Sequence, residues 1–154
     1  MNDPGLRDLP YKIEVNAWGK IEMSPASTRH ARLQARIAVE LARQLSAGDV
    51  FTEVPVLTDI GVRVPDVAWA SEAFLKAHGE MTPYPRAPEI CVEIVSASNT
   101  EVEMQEKTRA YLAAGATEVW LVSESGEVQV FDASGERTAS RYGIALTLPA
   151  PLKE

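Results

Sequence analysis

Three ionisable residues stand in stretches whose patterning calls for apolar side chains. Glu93 lies in Glu89-Ile90-Cys91-Val92-Glu93-Ile94-Val95-Ser96, which is apolar on both parities, the pattern of a strand covered on both faces. A carboxylate at the centre of such a strand is costly unless it is paired or binds a metal. Asp66 poses the same problem in Val62-Arg63-Val64-Pro65-Asp66-Val67-Ala68-Trp69. Pro65 also implies an edge position or a bulge, which re-aims a neighbouring side chain. Lys107 is the third. In a helix over about Glu101 to Ala114, Met104, Thr108, Tyr111 and Leu112 mark the apolar side, with Ala110 and Ala114 on its flank. Gln105, Glu106 and Arg109 occupy the wet face, and Lys107 projects between Met104, Tyr111 and Ala114. Structural roles remain open for all three. Either acid can partner an arginine such as Arg63, and the lysine can snorkel outward or pair with Glu103 one turn back.

Taken together, two acids and one inward lysine are the inventory of metal-assisted hydrolysis. Carboxylates hold a hard cation such as Mg²⁺ through oxygen, leaving several waters on it. The cation polarises a phosphoryl group and acidifies a bound water. A lysine orients the attacking water or steadies the developing charge. The main-chain carbonyl of Ile94, next after Glu93, is a natural additional ligand.

These residues need elements to position them. Tyr11–Val15 and Lys20–Met23 alternate like short strands around a turn at Trp18-Gly19. Ser27 or Thr28 caps a helix running to about Ser46, with Gly48 expected to end it. Strand-like runs follow over Val50–Leu57, Val62–Ala70, Glu89–Ser96, Glu118–Ser123 and Glu127–Asp132. Turns are expected at Asp59-Ile60-Gly61 and Glu124-Ser125-Gly126. A short helix covers Ser71–Ala77, followed by a loop with prolines at 83, 85 and 88. Ser98-x-x-Glu101 and Thr100-x-x-Glu103 both fit a capping box for the long helix that Gly115 stops. Residues 1–10 read as a loose arm, and Leu148-Pro149-Ala150-Pro151 begins a short tail. The order of helix, strands, helix, strands predicts an α/β or α+β fold, a single domain with one mixed sheet flanked by helices.

The first helix puts Leu33, Ile37, Leu41 and Leu45 on one side, with His30 on the inward side near Leu33 and Ile37. Arg29, Arg32, Arg36 and Arg43 fall together beside that face. They make either a solvated flank or a basic stripe suited to phosphate contact. The chain of 154 residues carries 22 acidic and 15 basic residues, a net charge of −7. That balance argues against tight non-specific nucleic-acid binding while leaving a nucleic-acid substrate open. One cysteine, Cys91, excludes a disulfide framework and a cysteine-based zinc site, and its apolar neighbours predict a buried thiol. No signal-peptide layout opens the chain, and no apolar run approaches the ~18 residues of a membrane span. A cytoplasmic protein is expected.

Pro65-Asp66, Val92-Glu93-Ile94-Val95-Ser96, Lys107-x-x-x-Tyr111-x-x-x-Gly115 and Val119-Trp120-Leu121-Val122, in that order and spacing, resemble the Uma-two family. This is a bacterial group of endonucleases with the restriction-endonuclease-like, PD-(D/E)XK fold. Gly19-Lys20-Ile21-Glu22-Met23-Ser24-Pro25 followed by Arg29-His30 resembles that family's entry to its first helix. The similarity covers roughly residues 11–133. It implies that Asp66 and Glu93 match the family's metal-binding acids. The lysine usual in the fold two residues after the glutamate is Val95 here, and Lys107 fits the displaced role. His30 and Tyr111 match positions that support the metal site, and Glu22 is a weaker candidate to touch it. The implied activity is Mg²⁺- or Mn²⁺-dependent cleavage of DNA phosphodiesters by a homodimer, with Arg29, Arg32 and Arg36 as candidate nucleic-acid contacts. The competing expectation is a non-catalytic member that binds nucleic acid or another macromolecule, or serves as a scaffold.

Overall fold

The computed structural model describes residues 11–25 and 27–152; the arm expected over residues 1–10 lies outside them. Two strands open the chain, β1 (Tyr11–Asn16) and β2 (Ile21–Pro25), paired antiparallel with Val15 opposite Ile21. Ser27 then caps α1 (Thr28–Gln44), its hydroxyl accepting from the His30 amide at 3.0 Å. Helix α1 ends earlier than Gly48 predicts, because Leu45 is already extended. Gly48 instead lets the chain pass tightly under β6 (Val67–Ala70). A Cβ there would sit 2.2 Å from the Ala70 carbonyl oxygen, and its φ of +81° suits glycine.

The runs Val50–Leu57 and Val62–Ala70 are not continuous strands, and this is the main correction to the sequence expectation. The first divides into β3 (Asp49–Thr52) and β4 (Val56–Thr58), the second into β5 (Gly61–Arg63) and β6. Strands β4 and β5 join β1 and β2 in a four-stranded antiparallel sheet of order β2-β1-β5-β4. Strands β3 and β6 belong instead to a six-stranded sheet. There are thus two sheets rather than one. The physical cause lies at the breaks, where Pro55 and Pro65 have no N–H to offer a ladder. Just before the first of them Glu53 turns to a φ of +55°, and its amide donates to the Asp66 carbonyl at 3.3 Å.

The larger sheet runs β10-β9-β8-β7-β6-β3, completed by β7 (Ile90–Val95), β8 (Glu118–Ser123), β9 (Val128–Asp132) and β10 (Gly135–Arg137). Strands β7 and β8 are parallel, so a crossover must join them, and α3 (Glu101–Ala113) supplies it. Of the two candidate caps Thr100 is used, accepting from the Glu103 amide at 3.1 Å. Short α2 (Glu72–His78) is capped by Ser71, which also bonds the Glu89 carboxylate. Exposed β10 lacks apolar alternation, which is why the sequence gives no sign of it.

Helices α1 and α3 cover opposite faces of this sheet. Leu33, Ile37 and Leu41 of α1 pack with Val67, Ile90, Val92, Ile94 and Trp120. Met104 and Tyr111 of α3 pack with Val56, Cys91, Val119 and Leu121. Each fully buried aliphatic side chain contributes about 1.5–3 kcal/mol. Cys91 is buried as expected, and burial pushes its thiol well above the ordinary range.

The segment after β10 is tied down by a buried acid. Glu118 accepts from Trp120 Nε1 (3.0 Å), Ser140 Oγ (2.7 Å) and the Arg141 amide (2.7 Å). Tyr142, Ile144, Leu146 and Leu148 then pack on the α1 side of the core. Removing the carboxylate leaves three donors behind. Glu118→Ala is therefore expected to lower the unfolding free energy by about 2–4 kcal/mol in a denaturant titration. A loss below about 0.5 kcal/mol would show that these hydrogen bonds do not anchor the segment.

Candidate active site

The sheets part at the C-terminal end of β7, and the sequence-marked residues meet there. Strand β6 pairs with β7 only from Val67 opposite Val92 to Trp69 opposite Ile90, so Glu93, Ile94 and Val95 extend past its end. Asp66 fills the gap. Its Oδ2 accepts from the Ile94 amide at 2.7 Å, in place of a ladder bond. In a strand the N–H and C=O of one residue address the same edge. The Ile94 carbonyl is therefore turned toward the edge that Asp66 occupies. The Asp66 backbone is held as well, its carbonyl accepting from Gln34 Nε2 (2.9 Å) and from the Glu53 amide.

Glu93 faces the other way, toward α3. Its Oε1 accepts from the Tyr111 hydroxyl at 2.8 Å, and its Oε2 lies 3.4 Å from Lys107 Nζ. Lys107 is buried, and its closer contact is Glu14 Oε1 at 2.8 Å rather than Glu103. Glu14 Oε2 accepts from the Val64 amide at 2.8 Å. His30 reaches in from α1, its Nε2 lying 3.1 Å from Asp66 Oδ1. Asp66, Glu93 and Glu14 are all at most 5% exposed.

A cavity of about 340 Å³ opens on this cluster, lined among others by His30, Gln34, Glu53, Asp66, Glu93 and Lys107. Its rim is the loop Ser96–Asn99, where Asn99 accepts from the Ser96 amide and donates to Glu103 Oε1 at 2.9 Å each. Residues from α1, the β3–β4 break, the β5–β6 break, β7 and α3 thus share one concavity. Glu53 holds a left-handed backbone there without being glycine, and such strain concentrates at functional sites.

The other nominated residues are placed less centrally. Glu22 lies in β2 with its backbone opposite Glu14, and its side chain is outside the described residues. Arg29 Nε donates to the Glu124 carbonyl at 2.8 Å, Arg32 approaches the Ala150 carbonyl at 3.5 Å, and Arg36 is exposed. Two of the stripe's arginines therefore brace neighbouring segments. They also line a depression that shares Glu124 with the central cavity.

Glu14, Glu53 and Gln34 also belong to this cluster without being marked by the sequence pattern. Glu14 alternates with Ile13 and Val15 and so reads as the wet side of its strand, with nothing to mark it as buried. Glu53 carries one usable sign, its place two residues before Pro55.

Comparison with known proteins settles the affiliation. Residues 6–152 match the model of the family Uma2, described as "Putative restriction endonuclease". The chain belongs to the Uma2 family. A crystal structure from Anabaena variabilis, described as "a putative nuclease belonging to DUF820", matches with a TM-score of 0.65 at 16% identity. The match covers 90% of this chain and 88% of that one. At that identity the likeness establishes a shared fold. No curated protein matches the chain. No helix among the described residues is long and apolar enough to cross a membrane.

Within this Uma2 chain Tyr111 has one protonation state over the working range. Burial first, then the charges of Glu93 and Glu14, push its hydroxyl well above the ordinary tyrosine range, so it stays a neutral donor to Glu93. A tyrosine with a raised folded pKa stabilises the fold fully below its unfolded pKa, and that contribution falls as pH rises further. Stability should accordingly decline from about pH 10 upward. Tyr111→Phe should flatten that decline while costing about 1–2 kcal/mol at neutral pH. Denaturant titrations across the alkaline range check both, and an unchanged alkaline slope in the variant would contradict the assignment.

Proposed function

We propose that this chain is a Mg²⁺- or Mn²⁺-dependent endonuclease that hydrolyses phosphodiester bonds in DNA. The observation that carries the proposal is the convergence of Asp66, Glu93 and Lys107, from three separate elements, on one cavity. Family membership and the shared fold support the same reaction class.

The donor set fits a hard divalent cation. Asp66, Glu93 and Ile94 all line the cavity, and the two carboxylates with the Ile94 carbonyl are the oxygen donors that would hold such a cation. Three carboxylates gather around Lys107 and His30, an excess of negative charge that a cation would offset. When bound there, the cation would polarise the phosphoryl oxygen and acidify a water. The chain's own groups do the rest. Lys107 presents an ammonium where negative charge develops, and Tyr111 holds Glu93 in one orientation. His30 and the Ile94 amide hold Asp66 from two sides. Arg29 and Arg32 line the depression next to the cavity, and exposed Arg36 follows on α1, a stripe along which flanking phosphates would run. A homodimer, cytoplasmic in location, is part of the proposal.

One observation favours the second reading, a non-catalytic member that binds nucleic acid or another macromolecule or acts as a scaffold. Among the described residues, no group of three or more His, Cys, Asp or Glu side chains is arranged to hold a metal. Experiment separates the two. Wild type should cleave plasmid or single-stranded DNA with Mn²⁺, and Asp66→Ala, Glu93→Ala and Lys107→Ala should each lower the rate by about a hundredfold or more. Calorimetry should show Mn²⁺ binding that Glu93→Ala loses. A folded wild type with neither Mn²⁺ binding nor cleavage of any nucleic acid would overturn the catalytic reading.

A further inference from the structure

We propose that Glu14 is a positioning residue that holds the Lys107 ammonium at the cavity while keeping it from closing on Glu93. The inference rests on the metal-dependent reading above and assigns a role to a residue of the other sheet.

The two contacts of Lys107 are unequal. Charge-assisted N–H···O bonds run about 2.7–2.9 Å. The contact to Glu14 is of that kind at 2.8 Å, whereas the one to Glu93 is slack at 3.4 Å. Glu14 cannot drift toward the lysine or away from it, because its second oxygen accepts from the Val64 amide at 2.8 Å. The strand beneath it is fixed in turn. Strand β1 pairs with β5 through Val15 opposite Val62, and Gly61 allows the approach, since a Cβ there would lie 2.3 Å from the Val15 carbonyl oxygen. A second pair, Arg109 with Asp59 at 3.0 and 3.1 Å, docks the β4–β5 turn on the same helix α3. Glu14 is thus a rigid counter-charge delivered by the small sheet.

Its consequence falls on Glu93. Lys107 is 11% exposed at the side chain and Glu93 3%, so an ammonium deprived of Glu14 would close on Glu93 to a full charge-assisted bond. Tyr111 already takes the other Glu93 oxygen. A closed Lys107–Glu93 bond would then compete directly with a cation for the remaining one. With Glu14 in place, Lys107 stays 3.4 Å from that oxygen.

The test uses the full chain, Mn²⁺ alone and calorimetry, with thermal melting to confirm that each variant is folded. Glu14→Asp preserves the charge but retracts the carboxylate by about 1.5 Å, one C–C bond length. It should weaken Mn²⁺ binding about tenfold, the scale on which partners of metal ligands act. In a Lys107→Ala background the same change should have no further effect. Glu14→Gln, isosteric but uncharged, carries the same expectation if Glu14→Asp does not fold. Wild-type affinity in a folded Glu14 variant would overturn the proposal. So would an equal loss in both backgrounds, which would mean that Glu14 acts on the cation directly. A metal-free readout stands beside these, the Nζ–H resonances of Lys107 by ¹⁵N NMR. They should shift in Glu14→Asp, and unshifted resonances would overturn the positioning role whether or not metal binds. Failure of wild type itself to bind Mn²⁺ would instead sink the metal-dependent reading.

Discussion

A buried lysine ammonium organises this molecule. Lys107 is taken out of water on the inner side of α3, and an isolated charge there would cost several kcal/mol. Glu14 and Glu93 offset that cost from two different sheets, which makes the ion group a junction as well as a site. The arrangement is poor as a device for stability alone, since apolar packing of equal volume often does as well or better. Its geometry suits a different end. Lys107, Glu93 and Asp66 line one cavity, and hydrogen bonds from Tyr111, the Val64 amide and the strand edge orient Glu93, Glu14 and Asp66.

The cavity exists because two polypeptide crossings between sheets occur side by side. At Glu53–Pro55 and at Val64–Asp66 the chain leaves one sheet for the other, and the paired breaks are stitched by the Glu53 amide on the Asp66 carbonyl. Strand β6 consequently begins short of the end of β7, leaving the Ile94 amide without a strand partner on that edge. Asp66 supplies the missing acceptor from its side chain. A backbone defect is thereby converted into the fixed orientation of a carboxylate. The proline that ends the ladder and the acid that replaces it are adjacent in sequence, and the spacing follows from that substitution of side chain for backbone.

Much of this was legible from the sequence because burial conflicts are local. Glu93 among apolar residues on both parities and Lys107 on the apolar side of its helix announce themselves within a few residues, and α1 and α3 keep their expected N-terminal caps. Pro65 likewise marks a disturbance in the strand pattern, but not its full effect. A proline shows that a ladder stops but not that the chain resumes in a second sheet, so one sheet was expected where two form. Glu14 was illegible for a related reason. Alternation in β1 describes one buried face, whereas docking of the small sheet on α3 buries the other face at that residue, and no short-range pattern encodes docking. The arginine stripe on α1 was visible, but not that Arg29 would spend its Nε on the Glu124 carbonyl.

Burial of an acid does not by itself mark a functional group, as Glu118 shows. It is as buried as Asp66, each 1% exposed, and it also sits in an apolar strand. The difference lies in who answers its charge. Glu118 is met by three neutral donors, an indole, a hydroxyl and an amide, that fasten a following segment to the sheet. Glu93 is met by one neutral phenol and a lysine kept at a slack distance, and Asp66 by an amide and a histidine, with both acids on the wall of a cavity. A carboxylate satisfied by neutral donors alone suits a structural joint, because nothing remains for a ligand to improve. Glu93 and Asp66 are met in part by ionisable groups and line a concavity, the setting the proposed cation site requires. That contrast, rather than burial, separates the acids of the candidate site from the acid that holds the fold.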